Sequence, residues 1–138
     1  MISVRKQEVV KLENVLHLYQ AVGWTNYTHQ PQMLEKSLSH SLAIYLALDG
    51  EAIVGLVRLV GDGFSSVFVQ DLIVLPTYQR QGIGSRLIKQ ALGDFKDAYQ
   101  IQLATEQTEK SLGFYRSLGF ETLSTYDCTG MIWVNRKK

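Results

Sequence analysis

A glycine-containing turn between an apolar run and an amphipathic helical pattern constrains this chain of 138 residues most strongly. The apolar run covers residues 67–75, and Pro76 ends it. After the turn, apolar residues recur at helical spacing: Ile83, Leu87, Ile88, Ala91, Leu92 and Phe95. The segment therefore predicts a strand, a turn and a helix. The first N–H groups of such a helix are unpaired, and its dipole adds about half a positive charge there, which favours a bound phosphate.

Neither of the common nucleotide-binding fingerprints matches this turn. The P-loop requires Lys followed by Ser or Thr after its second glycine, and the dinucleotide fingerprint requires a third glycine where this chain has Leu87. The chain instead reads Gln79-Arg80-Gln81-Gly82-Ile83-Gly84, which is a Q-x-x-G-x-G arrangement that opens a helix. Downstream, residues 112–120 contain an aromatic pair and then a Gly-Phe pair, in the order Leu-Gly-Phe-Tyr-Arg-Ser-Leu-Gly-Phe.

Together, and in this order, the two segments resemble the GNAT superfamily of acetyl-CoA-dependent N-acetyltransferases. The resemblance covers about residues 67–120, whereas residues 1–50 carry little of it. It implies an enzyme that transfers the acetyl group of acetyl-CoA to a primary amine by direct attack, without an acyl-enzyme. The alternative is a CoA-binding module of the same fold that senses or regulates and does not catalyse.

The resemblance also implies which residues bind the co-substrate. In this fold the long strand and the next one splay apart, and the open edge accepts pantetheine, here through the backbone of Ile73, Val74 and Leu75. The residues implied for the pyrophosphate are Gln81, Gly82, Ile83, Gly84 and Ser85. Gln79 and Arg80 complete the implied co-substrate site, with Arg80 adding charge near the phosphates. Alternatively, Arg80 is simply solvated and Ser85 only caps the helix.

Acetyl transfer requires a proton acceptor for the amine and favours a proton donor for the leaving thiolate. Tyr115 matches the family's donor position, and a phenol with a pKa of about 10 is protonated at neutral pH; the alternative is a half-buried core tyrosine. Asp71 lies inside an otherwise apolar strand and is the candidate base or amine anchor, because burial raises a carboxyl pKa. It alternatively holds a loop through hydrogen bonds, since the sequence does not determine which face it occupies. Weaker candidates for the base are Glu51, Asp62 and Glu106.

The loop of residues 23–31, between the first two predicted helices, is the candidate acceptor site. Trp24 and Tyr27 either wall a pocket and hold an amine by cation–π contact or pack the loop onto the sheet. No His, Cys and Asp cluster has metal-ligand spacing, so no metal is expected. We interpret His17 and His29 as surface or packing residues, and Cys128 as a small residue of the core or of an edge and not as a nucleophile.

Composition is typical of one domain spanning residues 1–138. The net charge of +1 gives no support for a nucleic-acid-binding or membrane-surface protein. The single cysteine excludes an internal disulfide and suits a reducing cytoplasm. The chain starts without a signal-peptide pattern, and no apolar run approaches the ~20 residues of a membrane span, so we expect a cytoplasmic protein.

The order of patterns along the chain predicts an α/β fold with a mixed, mostly antiparallel sheet flanked by helices. Strands are predicted at residues 2–5, 42–48, 52–60, 66–75 and 101–104. Helices are predicted at residues 8–21 and 31–40, after residue 82, and from Thr105 or Thr108 to Gly119. Residues 120–125 and 131–134 are predicted to form a final hairpin. The apolar run at 131–134 requires a cover, either a second copy in a homodimer or the first helices of the same chain.

Overall fold

The computed structural model describes residues 1–135, which form a five-stranded sheet flanked by helices. The strands are β1 (Ile2–Lys6), β2 (Ala43–Asp49), β3 (Ala52–Gly61), β4 (Ser66–Val74) and β5 (Gln100–Leu103). The helices are α1 (Leu12–Ala21), α2 (Thr25–Thr28), α3 (Pro31–Ser39), α4 (Ile83–Asp94) and α5 (Glu109–Ser117). Short 3₁₀ turns cover Pro76–Tyr78 and Leu123–Tyr126.

The strands lie in the order in which they occur along the chain, from β1 to β5. The first four pair antiparallel, and β5 pairs parallel to β4 after the crossover through α4. Hairpin turns suffice for the antiparallel pairs, whereas the parallel pair needs a long connection such as this helix. The predicted mixed α/β sheet is confirmed.

The chain divides into two compact units, Met1–Ala104 and Thr105–Lys138. The first unit contains the whole sheet and the helices α1 to α4. In the second unit the structure describes α5 and the 3₁₀ turn Leu123–Tyr126. The single domain expected from the sequence stays a prediction.

Helices cover both faces of the sheet in the first unit. Leu56 of β3 belongs to a buried cluster with α1, α2 and α3, while a Cβ on the preceding Gly55 would lie 3.4 Å from Leu87 of α4. Successive strand residues point to opposite faces, so α4 lies on the face opposite the other three helices. The predicted stripe of α4 is confirmed as its buried side: Ile83, Leu87, Ile88 and Ala91.

A β-bulge decides which face Asp71 occupies. Arg58 pairs with Asp71, but the next residue of β3, Leu59, pairs with Val69, so Gln70 is the extra residue. A bulge shifts the alternation of side chains by one position. Asp71 therefore lies on the same face as Ile73, which belongs to the cluster with α1, α2 and α3.

Two predicted boundaries differ at the amino-terminal helices. Helix α1 begins at Leu12 and not at Glu8, because the chain before it stays extended, with the Gln7 N–H donating to the Ile44 carbonyl at 2.9 Å. The predicted loop after α1 contains the one-turn helix α2, whose Tyr27 is buried. Burial of this one aromatic ring stabilises a turn that is too short to persist alone.

The predicted carboxy-terminal hairpin is wrong for the described residues. The chain folds into the 3₁₀ turn Leu123–Tyr126, which ends at Asp127 in the left-handed region with φ of 58°. Backbone N–H groups of Asp127 and Cys128 donate to carbonyls of this turn, so local bonds replace the cross-strand bonds of a hairpin. Residues 131–134 form no strand.

Candidate active site

The turn between β4 and α4 has the backbone geometry of an anion site. Arg80 and Gly82 both adopt left-handed conformations, with φ of 65° and 77°. Gly82 is the N-cap of α4, and among residues 1–135 no side chain caps its first N–H groups. A Cβ on Gly82 would meet nothing within 4 Å, so the space over this end of the helix is open. Left-handed residues next to helical ones turn successive N–H groups to one side, which suits a phosphate.

Two side chains tie this turn to the sheet. Gln79 Nε2 donates to the Val74 carbonyl at 3.1 Å. The Tyr78 hydroxyl donates to Asp49 Oδ2 at 2.6 Å, and Asp49 lies at the end of β2. Tyr78 and Gln79 therefore fix the start of the turn before any ligand binds, which lowers the entropic cost of binding.

Strand β4 has an open edge beside the turn. Strand β5 pairs with residues 66–69 only, so along residues 70–74 no described strand pairs with this edge. The Leu75 N–H donates to the Val54 carbonyl at 2.9 Å on the opposite side, toward β3. Because backbone groups alternate along a strand, Ile73 also directs its N–H and carbonyl toward β3, and Val74 directs them to the open edge.

This geometry indicates which of the three residues predicted to bind pantetheine have backbone groups available for it. Val74 lies on the open edge, as the prediction requires. The N–H of Leu75 is already donated within the sheet, and the Ile73 carbonyl lies 2.9 Å from where a Cβ on Gly55 of β3 would stand. Of the three predicted residues, Val74 is therefore the one with backbone groups directed outward, although its carbonyl already accepts from Gln79 Nε2.

A buried group of four side chains, which we call the polar node, lies under α1 and α2: Tyr19, Tyr27, Arg58 and Asp71. Asp71 Oδ2 accepts from the Tyr19 hydroxyl at 2.9 Å and from Arg58 Nε at 2.7 Å. Its Oδ1 accepts from the Tyr27 hydroxyl at 2.9 Å. Arg58 Nη2 also donates to the Tyr27 hydroxyl at 3.1 Å. Asp71 is 2% exposed, and within residues 1–135 no buried side-chain nitrogen or oxygen lacks a partner.

The electrostatics of the polar node keep its two phenols neutral and its guanidinium charged. Burial, together with the adjacent Asp71 carboxylate, raises the pKa values of Tyr19 and Tyr27 above 10, so both remain donors. Burial alone would lower the pKa of Arg58, but the ion pair with Asp71 raises it above its ordinary value. The node is thus a fixed ion pair with two neutral phenols. It favours the predicted alternative in which Asp71 holds a loop.

The two aromatic residues predicted for the acceptor site differ in exposure. Tyr27 is 8% exposed, and its hydroxyl is committed to the polar node. Trp24 is half-buried, with its ring centroid 6.1 Å from that of Tyr19 and 6.3 Å from that of Tyr27. Of these two residues, Trp24 is therefore the one whose ring is accessible to a ligand.

Tyr115 lies on α5 in the second unit and is half-buried. Its ring packs edge-on against Phe114 and Phe120, with centroids 4.9 Å and 5.8 Å away. Burial raises the pKa of Tyr115 above its usual value, so the phenol remains protonated through neutral and mildly alkaline pH. Thr108 caps this helix by accepting from the Ser111 N–H at 3.1 Å, which decides between the two predicted caps.

The weaker candidates for the base, Glu51, Asp62 and Glu106, lie outside the polar node. Asp62 accepts hydrogen bonds from the Ser65 hydroxyl and from three backbone N–H groups. These bonds lower the pKa of Asp62, and the bond from the Ser65 hydroxyl has the largest effect. It therefore orders the β3–β4 turn. Glu51 and Glu106 are exposed, and so is Cys128, which had been expected in the core or at an edge. Among residues 1–135 no group of three or more acidic, His or Cys side chains is arranged to hold a metal.

Sequence reasoning missed three residues of the site region. Tyr19 falls at apolar helical spacing, so its hydroxyl gave no signal. Arg58 is the one basic residue in an apolar strand that pairs with the strand of Asp71, and this charge complementarity between neighbouring strands could have identified the ion pair. The Asp49 carboxylate that holds Tyr78 follows from no local pattern.

Comparison with known proteins identifies the family to which this chain belongs. A family model described as an acetyltransferase (GNAT) domain matches residues 40–122, which is more than half of the chain. The chain therefore belongs to the GNAT acetyltransferase family. A solved structure of a GNAT-family acetyltransferase from Streptococcus pneumoniae is 78% identical, with a TM-score of 0.91 and 99% of each chain covered. The predicted family and fold are confirmed.

More distant similarities extend to other N-acetyltransferases. The curated chloroplastic GCN5-related N-acetyltransferase 1 of Arabidopsis thaliana is 27% identical over 138 residues, covering 97% of this chain and 68% of the relative. An N-acetyltransferase from Thermoplasma acidophilum, solved in complex with coenzyme A, is 18% identical, with a TM-score of 0.70 and coverage of 88% and 90%. None of the helices in residues 1–135 is long and apolar enough to cross a membrane.

Proposed function

We propose that this protein is an N-acetyltransferase that transfers the acetyl group of acetyl-CoA to a primary amine by direct attack. The observation that carries the proposal is the open edge of β4 leading into the uncapped amino terminus of α4. The pantetheine part of CoA is an extended chain with amide groups, which suits the open edge of β4. The pyrophosphate that follows it suits the start of α4. Membership of the GNAT acetyltransferase family supports the same activity.

In this proposal the backbone of residues 79–85 binds the pyrophosphate. The N–H groups at the start of α4 donate to the phosphate oxygens, and the half-buried Ser85 adds its hydroxyl. Arg80 is exposed beside them and supplies positive charge. Val74, with the flanking Ile73 and Leu75, supports pantetheine along the strand.

The chemistry requires little covalent participation by the protein. The thioester of acetyl-CoA supplies an already activated acyl group. Tyr115 donates a proton to the departing thiolate, because its phenol is neutral at physiological pH. Both oxygens of Asp71 are occupied by donors, so we assign the removal of the amine proton to water and not to this carboxylate.

The acceptor amine approaches along α2 in this proposal. The segment stands between α1 and α3, and Trp24 offers a half-exposed ring at its start. An ammonium or aromatic group binds such a ring face. Tyr27 lies behind it as the support of the wall. We retain the cytoplasm as the proposed location, on the ground of the single cysteine.

Mass spectrometry of the products tests the function directly. The protein is incubated with acetyl-CoA and a library of amines that includes diamines, arylalkylamines, amino acids, aminoglycosides and peptides with free amino termini. We expect a product 42 Da heavier than one class of amine, a mass set by the acetyl group. If the protein binds CoA by calorimetry but acetylates no amine, the sensing alternative replaces the enzyme.

We also propose that the chain forms a homodimer through its carboxy-terminal apolar run. Met131, Ile132, Trp133 and Val134 are 95%, 87%, 85% and 52% exposed. A run of large apolar side chains so open to water marks an interaction surface. The aromatic ring alone buries up to about 250 Å² when it is covered.

Light scattering at micromolar concentration tests the dimer. We expect about twice the mass of one chain, which is 15.6 kDa. Trp133→Ser is expected to shift the protein toward monomer, whereas Tyr126→Ser, at another exposed aromatic residue of the same unit, leaves the mass unchanged. A single-chain mass for the unmodified protein rejects the dimer.

A further inference from the structure

We propose that Asp71 and Arg58 are positioning residues whose buried ion pair fixes α1 and α2, and thereby the wall of the acceptor site, while neither takes part in proton transfer. The inference rests on the proposed function in one respect, since the acceptor site is the site of that activity. It assigns a task to four buried polar side chains that the co-substrate site does not use. These are the members of the polar node.

The first argument is that both oxygens of Asp71 already accept hydrogen bonds from buried groups of the protein. Three donors, from Tyr19, Tyr27 and Arg58, lie within 2.9 Å of its two oxygens. A general base must lie within hydrogen-bond reach of the amine whose proton it accepts, directly or through one water. Asp71 is 2% exposed, and the groups that surround it belong to the protein.

The second argument is that the node joins helices on this side of the sheet to two of its strands. Tyr19 comes from α1, Tyr27 from α2, Arg58 from β3 and Asp71 from β4. Arg58 Nη1 reaches the Ser41 hydroxyl at 3.2 Å, just after α3. One ion pair therefore connects three helices to two strands.

The third argument is that α2 depends on this connection. The helix has four residues, and no side chain of residues 1–135 caps its start. A single helical turn is unstable by itself, because nucleation costs more than one hydrogen bond returns. Its one buried residue is Tyr27, whose hydroxyl donates to Asp71 and accepts from Arg58. The position of α2, with the adjacent Trp24, is thus set by the node.

The decisive variant neutralises both partners, Arg58→Gln with Asp71→Asn. Removing one charge alone leaves the other buried without a partner, which threatens the fold, whereas the neutral pair avoids this and retains donors and acceptors. An amide cannot accept the amine proton. We expect kcat to stay within about tenfold of the unmodified enzyme with an unchanged pH profile, while KM for the amine rises at least about threefold and KM for acetyl-CoA does not change. A loss of about 10² or more in kcat, the magnitude of a general base, overturns the inference.

A milder pair of variants keeps the test open if the double variant does not fold. Tyr27→Phe removes one hydroxyl from the node, and we expect it to raise KM for the amine in the same way. Tyr45→Phe is the matched control, because Tyr45 is also a buried tyrosine whose hydroxyl donates to a carboxylate, Asp94 Oδ2 of α4, at 2.8 Å. We expect Tyr45→Phe to leave KM for the amine unchanged. Equal effects of the two variants contradict a specific role of the node.

Hydrogen exchange separates this inference from the proposed activity. In Tyr27→Phe we expect the amides of residues 12–28 to exchange faster, while those of α4 keep their protection. Unchanged exchange in residues 12–28 overturns the positioning role whether or not the protein acetylates an amine. Faster exchange in a protein without transferase activity supports the node and rejects the proposed function instead.

Discussion

Replacing Tyr115 with phenylalanine is expected to lower kcat by roughly 10²-fold, the lower range for a single acid–base group. The ring remains, so its edge-on contacts with Phe114 and Phe120 persist and the unit stays folded. Only the proton for the departing thiolate is lost. Steady-state kinetics at saturating acetyl-CoA measures the effect, and KM for acetyl-CoA is expected to stay nearly the same.

Burial of Tyr115 adds a pH signature to this prediction. Because burial raises the pKa of the phenol above its usual value of about 10, the donor stays protonated as pH rises from 7 to 10. Activity that depends on it is therefore lost only above that range, as pH rises through the raised pKa. The control is Tyr126→Phe at an exposed position of the same unit, which is expected to leave kcat unchanged. If Tyr115→Phe turns over at the full rate while chemistry limits the reaction, Tyr115 is a packing residue.

The second large effect is expected from Gly84→Val at the start of α4. Gly84 stands in the first helical turn, where the pyrophosphate is proposed to lie against the backbone, and a branched side chain there blocks the approach. We expect the affinity for CoA to fall at least about tenfold, which corresponds to about 1.4 kcal/mol. Titration calorimetry of the folded variant with CoA measures it.

The same helix provides the matched control for this prediction. Gly93 lies near the other end of α4, and a Cβ at that position would meet nothing within 4 Å. Gly93→Val has a similar cost in helix propensity, because both changes introduce the same β-branched residue. We expect its affinity for CoA to match that of the unmodified protein. Equal affinities of the Gly84 and Gly93 variants for CoA would reject the proposal that the pyrophosphate binds at this turn.

The predicted roles of the turn at residues 79–85 and of Tyr115 have different support. The turn of residues 79–85 combines left-handed backbone, an uncapped helix start and an adjacent open strand edge, all within the first unit. Tyr115 depends on the motif and on its protonation state. The kinetic experiment therefore tests the motif, and the calorimetric experiment tests the backbone geometry.

The sequence by itself determined the family and the central strand–turn–helix segment of this protein. The apolar run before Pro76, the glycines of the turn and the 3.6-residue stripe of α4 are all read within about 30 residues, so local sterics and periodicity suffice. The same holds for the β2–β3 hairpin, whose two-residue turn, Gly50-Glu51, lies between the predicted strands at residues 42–48 and 52–60. These features require no knowledge of distant partners.

Only the tertiary structure decided the role that Asp71 can play. The bulge at Gln70 places the carboxylate under α1 and α2, and its partners Tyr19 and Arg58 lie 52 and 13 residues away along the chain. Strand register and bulges depend on pairing between strands, which local patterns do not contain. The failed hairpin has the same cause, since residues 131–134 are apolar enough for a strand but have no described strand to pair with. A β-strand forms only where a second strand accepts its hydrogen bonds, whereas α4 satisfies its own.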